Sequence, residues 1–519
     1  MRFLDLYSFL AVVLRGLVLT LETLAIGGVS FQLLLRGSGA AGSVRDACRR
    51  LAWWSAAVLV AAEAATVACN AAMLVVSADL TMSEIAGAPF VLFDGGACVA
   101  ALVLAFILRG RARRGWAEAL SAVLLAASVA SSHAAARLED RVPLMALTAV
   151  HQLAVALWIG GLPYLWMASR GEADASAAQA ITRRFSRLAM VCVAALFGAG
   201  LALTIVYSGS WAGFYGTSYG AMIAAKVALL GLLLVLGARN FRLARGEDSG
   251  AGRAQRRLRW FAEAEIGIGI TAILAAASLT SQPPAADVPE QWVPAQVIAA
   301  RMTPKWPLLA TPPIPTTIPP ADPLAFVPRS MEDILWSEYN HHWAGLIVLA
   351  AGLLAMIART RRGRWARNWP LLFLGLAAFI LVRADADTWP LGPRGFWESM
   401  ETAEIAQHRL AVVLVAAFGF FEWAVRVERL RARWAAMVFP LVCAVGGALL
   451  LTHSHSFNDV TAEFLAELSH LPLAVLAVAA GWSRWLEIRL PKEEGKLAGR
   501  VWPVCFALIG LVLLNYRER

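Results

Sequence analysis

Polar residues in this chain are confined to short intervals between long apolar runs. Runs of about 20 apolar residues recur from end to end, roughly at 6–35, 51–77, 89–109, 116–133, 143–168, 186–207, 219–240, 258–281, 338–359, 368–384, 402–425, 433–452, 463–486 and 500–516, each long enough to cross a bilayer as a helix. The pattern predicts an all-α, polytopic helical membrane protein with about 14 transmembrane helices. Composition agrees: 59% of residues are hydrophobic and 16% charged, where a soluble domain carries about a quarter charged. The first run is too long for a signal-peptide core and is followed directly by Arg36, so it reads as the first span.

Charge then orients the bundle. The loops after spans 1, 3, 5, 7, 9, 11 and 13 are rich in arginine or lysine, for example Arg109-Arg111-Arg113-Arg114, Arg359-Arg361-Arg362-Arg364 and Lys492-Lys496-Arg500, while the alternate loops are acidic, neutral or mixed. The positive-inside rule predicts both termini in the periplasm. The net charge of +10 therefore belongs to cytoplasmic loops beside a lipid bilayer, with no nucleic acid partner implied. Six scattered cysteines without a CxxC pair read as small apolar residues. Thirteen of the 23 prolines fall between 282 and 337, a density that forbids a long helix and favours extended backbone. This predicts an eight-helix domain over 1–281, a Pro-rich periplasmic loop over 282–337 and a six-helix, His-rich domain over 338–519. The loop reads as a tether, or as a docking surface for a soluble partner.

On this topology the eight histidines all fall toward the outer face. His133 ends span 4, His341 and His342 open span 9, and His453 and His455 end span 12. His151, His408 and His470 lie several residues into spans 5, 11 and 13, roughly 10 Å below the outer surface at 1.5 Å per residue. Carboxylates accompany them a turn or two outward: Glu338 before His341 and His342, Glu401 and Glu404 before His408, Glu463 and Glu467 before His470. Ionisable side chains inside a bilayer are costly, so the arrangement points to function. Carboxylates at a mouth concentrate a cation. Imidazoles deeper can replace its water and suit copper, zinc, iron or nickel, and thioethers near the outer ends (Met73, Met82, Met145, Met222, Met331, Met400) would favour Cu(I). The candidate metal ligands are His151, His341, His342, His408, His453, His455 and His470 with Glu404 and Glu467. Neighbours His341 and His342 point about 100° apart on a helix, so one of them faces elsewhere. In the first half, Arg15, Glu22, Glu63 and Lys226 read either as mutual neutralisation or as a proton or ion path.

Four further stretches follow a known order and spacing: His151-Gln-Leu-Ala-Val-Ala-Leu-Trp158-Ile-Gly160-Gly161, Arg184-Phe185-Ser-Arg187-Leu188-Ala189, Tyr219-Gly220-Ala-Met-Ile-Ala-Ala-Lys226 and Gly237-Ala-Arg-Asn240. Over about 150 to 245 they resemble the CopD family of copper-resistance membrane proteins. The six-span C-terminal part looks like an extension found on some members. The resemblance implies a bacterial inner-membrane, multi-pass protein that accepts copper from a periplasmic CopC-like carrier in trans and moves it inward, a metal-handling transporter rather than an enzyme. Two other readings stay open. Facing imidazoles among His151, His408 and His470 could ligate a b-type haem. Glu338-Tyr-Asn-His341 and Glu467-Leu-Ser-His470 carry the Glu-x-x-His spacing of di-metal carboxylate bundles, the mark of an oxidase. Neither G-x-x-x-x-G-K-[ST] nor H-E-x-x-H is present.

Overall fold

A computed structural model describes residues 2–518 except 79, 111–113, 172–173, 246–250, 315–329 and 453–459. Among the described residues, twelve helices are long and apolar enough to cross a membrane, and two further apolar helices, Gly115–Ala130 and Ala435–Leu450, are shorter. Together they fall on the fourteen predicted stretches, and the molecule is an all-α polytopic membrane protein. Contacts divide it into two compact units: Met1–Trp292 with Leu451 and Thr452, and Val293–Leu450 with the described residues from 460 onward.

The first unit contains α1 (Arg2–Leu34), α2 (Gly42–Ala78), α3 (Pro89–Arg109), α4 (Arg114–Ala130), α5 (Arg141–Trp158), α6 (Leu162–Gly171), α7 (Ala175–Ser208), α8 (Ser218–Arg245) and α9 (Ala251–Thr280). Helix α1 is its axis and packs on α2, α4, α5, α7 and α9. Small residues make this possible, because helices in lipid associate through close packing rather than through expulsion of water. A Cβ added at Gly160 would lie 2.1 Å from the Thr23 carbonyl oxygen, and one at Gly27 would lie 2.5 Å from that of Ala156. The Tyr164 hydroxyl donates to the Leu24 carbonyl at 2.7 Å. Arg184 of α7 closes the end of α1, donating to the carbonyls of Arg36 (2.5 Å) and Gly37 (2.8 Å), where unpaired carbonyls and the helix dipole favour a cation.

The second unit contains α10 (Met331–Ile357), α11 (Leu372–Arg383), α12 (Ala403–Arg426), α13 (Val438–Leu450), α14 (Val460–Arg489) and α15 (Lys492–Leu514). Helix α15 lies between α10 and α14. A Cβ at Gly352 would meet the Ala507 nitrogen at 2.5 Å, and one at Gly510 the Leu349 nitrogen at 2.4 Å, so α10 and α15 touch through their backbones. At the arginine-rich end, buried Trp369, Phe373, Phe439, Trp502 and Phe506 form a core. The Arg426 guanidinium lies over Trp502 (4.9 Å), Trp369 (5.4 Å) and Phe439 (5.6 Å) and donates to buried Glu422 at 2.5 Å, so the cation is matched by a carboxylate and by ring faces. Glu487 accepts from Arg359 (2.5 Å), Arg484 (2.6 Å) and Trp502 Nε1 (2.8 Å). The opposite end of this unit gathers the starts of α10, α12 and α14 and the ends of α11 and α15, and that is where its histidines lie.

Candidate functional site

At that end, two histidines from different helices come together. The rings of His341 (α10) and His470 (α14) lie 6.1 Å apart at 86°. Both spend the same nitrogen in the same way. His341 Nδ1 meets the Ser337 carbonyl at 2.8 Å and His470 Nδ1 meets the Ala466 carbonyl at 2.7 Å, each four residues back on its own helix. A carbonyl only accepts, so Nδ1 carries the proton and Nε2 of each neutral ring carries the lone pair. This backbone-anchored tautomer is the one that orients a histidine toward a metal.

The chain's C-terminal segment completes the cluster. Tyr516 stacks on His341 at 3.8 Å and 21° and meets His470 edge-on at 5.8 Å. Its hydroxyl donates to Glu518 Oε1 at 2.7 Å, which also accepts from the Ser337 hydroxyl. The Glu518 amide donates to Glu338 at 3.1 Å, and Glu338 is buried beneath it. Glu467 is buried one turn before His470. Sequence reasoning missed Ser337, Tyr516 and Glu518. The available signal was that these polar residues lie at the same predicted outer end of their spans as His341 and His470.

His342 has another task. It is fully buried, the Leu308 amide donates to its Nδ1 at 2.7 Å, and Nε2 meets the Tyr516 carbonyl at 2.9 Å. The Arg517 guanidinium also lies on Nε2 and donates to the Lys305 carbonyl at 2.9 Å. With Trp336 donating to the Pro313 carbonyl (2.8 Å) and Trp343 to that of Leu309 (3.1 Å), His342 straps the Pro-rich segment onto α10. One of the neighbouring pair thus faces the cluster with His470 and the other faces the strap.

His408 lies apart from that pair, with Nδ1 2.7 Å from Asp385 Oδ1. Asp385 begins a folded segment over 384–402, held by Arg409 donating to the Leu381 (2.6 Å) and Trp389 (2.8 Å) carbonyls and by Arg394 on Asp387 (3.1 Å). His453 and His455, and the side chain of Glu404, lie outside the described residues. In the first unit His151 packs against α7: a Cβ at Gly200 would lie 3.3 Å from its Cε1. Its Nδ1 is buried without a hydrogen-bond partner, and the Lys226 ammonium acts on it electrostatically, which opposes a second cation there. Among the described residues, no three His, Cys, Asp or Glu side chains stand close enough to hold one metal ion.

Residues 179–279, covering most of α7, all of α8 and nearly all of α9, match the sequence profile described as Copper resistance protein D. Over this segment the chain is similar to the CopD family. The copper transport protein CutJ of Bacillus subtilis (strain 168) is 30% identical over 180 residues, which is 34% of this chain and 32% of that protein. The alignment therefore spans about a third of the curated relative. No solved structure matches. The CopD-like motif residues act as joints in the first unit. Gly160 admits α1, Arg184 closes its end, and Phe185 rests on Phe31 and on Gly161, where a Cβ would lie 2.6 Å from its ring. Asn240 donates to buried Glu265 at 2.7 Å. The CopD profile does not extend to the His341–His470 cluster.

Proposed function

We propose that this chain imports copper across a bacterial inner membrane, taking it at a periplasm-facing histidine and carboxylate site and accepting it from a CopC-like carrier in trans. The CopD match and the copper transport protein to which the chain is similar support copper as the substrate. The observation that carries the site is the His341–His470 pair, two imidazoles whose Nδ1 protons are both tied to their own helices. Glu518, Glu338 and Glu467 supply negative charge beside it, and Tyr516 orders the pair. His408 with Asp385 and Glu404 stands as a second candidate on the same end of this unit, and His453 and His455 precede the helix that carries His470. Outward orientation rests on the arginine-rich loops at the opposite end.

The test is elemental analysis of the purified protein in lipid, loaded with Cu(I) or with Cu(II) and washed. His341→Ala/His470→Ala is expected to lose at least one copper per chain relative to the unaltered protein. Unchanged stoichiometry would reject the site. Because imidazole binds metal only when neutral, retention should also fall once acid protonates the two rings.

A further inference from the structure

The first unit buries a second cluster that the copper site does not use. Glu22 on α1, Glu63 on α2 and Asp94 on α3 are 7%, 4% and 8% exposed. They come from three different helices. Glu63 acts electrostatically on Asp94, Glu22 and Arg15, and Glu22 on Arg15 and Asp94. Just past α4, the Ser131 hydroxyl donates to Asp94 Oδ1 at 2.8 Å, and the Ser128 hydroxyl of α4 lies beside Glu22. Cys98 of α3 faces Glu63 and donates its thiol proton to the Val60 carbonyl at 3.5 Å. Arg15 is the cation that acts on both Glu22 and Glu63.

Carboxylates gathered in a low-dielectric seam are costly to keep all ionised together. The decisive detail is Glu63. It is 96% removed from solvent on the 4% exposure above, and its Oε2 is buried with no hydrogen-bond partner among the described residues. A bare carboxylate oxygen in that position is expensive. A carboxylic acid is not, and it can donate to a neighbouring acid or to Ser128. The cluster is also connected outward. Arg15 acts electrostatically on His133, which lies beside the Thr280 backbone and the Arg137–Asp287 ion pair.

We propose that Glu22, Glu63 and Asp94, with Arg15, form an intramembrane proton-exchange site of the first unit, reached through His133. The exchanged proton is held between Glu22 and Glu63, with Arg15 balancing the remaining charge. Loading transfers a proton from a hydronium ion at the mouth to His133 and on to a carboxylate oxygen, forming one O–H bond and releasing one water; unloading reverses this, with no change of oxidation state. Nothing in this inference depends on copper binding at His341 and His470.

Infrared spectra of the full chain in lipid vesicles at pH 7 test it, because the carbonyl stretch of a protonated carboxyl separates from ionised carboxylate bands. The unaltered protein minus Glu63→Gln, and minus Glu22→Gln, should each show loss of a protonated-carboxyl band, and that band should move on transfer to D2O. The unaltered protein also serves directly, without any variant. Dicyclohexylcarbodiimide couples to protonated carboxyls in apolar surroundings, so peptide mapping should place the adduct on Glu63 or Glu22, with labelling suppressed as pH rises. Loss of only ionised-carboxylate bands, together with no adduct at either position, overturns the proposal. Suppression of labelling by sodium at constant pH also overturns it and assigns the cluster to a monovalent cation instead.

Discussion

Among single residues, identical side chains do different work according to which ring nitrogen the backbone takes. His341 and His470 give Nδ1 to a carbonyl of their own helix, and His342 has both nitrogens engaged by the strap and the C-terminal segment. His342→Ala should therefore lower stability by about 1–3 kcal/mol, the cost of leaving the Leu308 amide without its acceptor and taking one of its two partners from the Tyr516 carbonyl, as read from the thermal midpoint in detergent. Tyr516→Phe removes the hydroxyl that holds Glu518 and is expected to weaken copper binding about 10- to 100-fold, the usual effect of losing an orienting group behind a ligand, measured by competition with a copper chelator. His133 adds a pH signature. Burial is the main force pulling its pKa below the ordinary imidazole value, with the Thr280 backbone and Asp287 acting in the opposite direction. The folded ring thus prefers to be neutral while the unfolded one takes up a proton near pH 6.5. Stability is full above that pH and falls as acid is added. His133→Gln should flatten the difference in thermal midpoint between pH 7.5 and pH 5.5 relative to the unaltered protein.

Among elements, the backbone contacts of α1 with α5 and of α10 with α15 set how closely every site residue can approach. Gly352→Leu puts a side chain where even a Cβ meets the Ala507 nitrogen at 2.5 Å. It should cost roughly 1–3 kcal/mol or more by overpacking, and it should reduce copper stoichiometry as α10 carries His341 away from α14. Loss of stability without loss of copper would mean that the pair is not the site. The existence of these elements was legible because a hydrophobic run of about 20 residues has one stable outcome in lipid. Their partners were not, since every apolar face resembles every other, and only residues such as Gly160, Gly352 and Gly510 mark which backbones meet.

At the scale of the whole molecule, the arginine-rich loops predict which side each end occupies. In a background with the native cysteines replaced, Glu139→Cys should react with a membrane-impermeant maleimide in intact cells, and Arg361→Cys only after permeabilisation. The reverse pattern would place the His341–His470 end inside and remove the basis for import from the periplasm.

The sequence alone determined the number and places of the spans, because bilayer thickness converts hydropathy directly into helix length. It also placed His341 and His470 toward the same predicted face of the membrane with carboxylates near them, His341 at a span's opening and His470 several residues in. Only the tertiary structure decided which histidines share a cluster, which one braces the strap, and that Tyr516 and Glu518 close over the pair. It likewise gathered Glu22, Glu63 and Asp94 from three helices. The physical reason is that side-chain convergence depends on the rotation and pairing of helices, which are set by packing between residues far apart in the chain and leave no periodic trace along it.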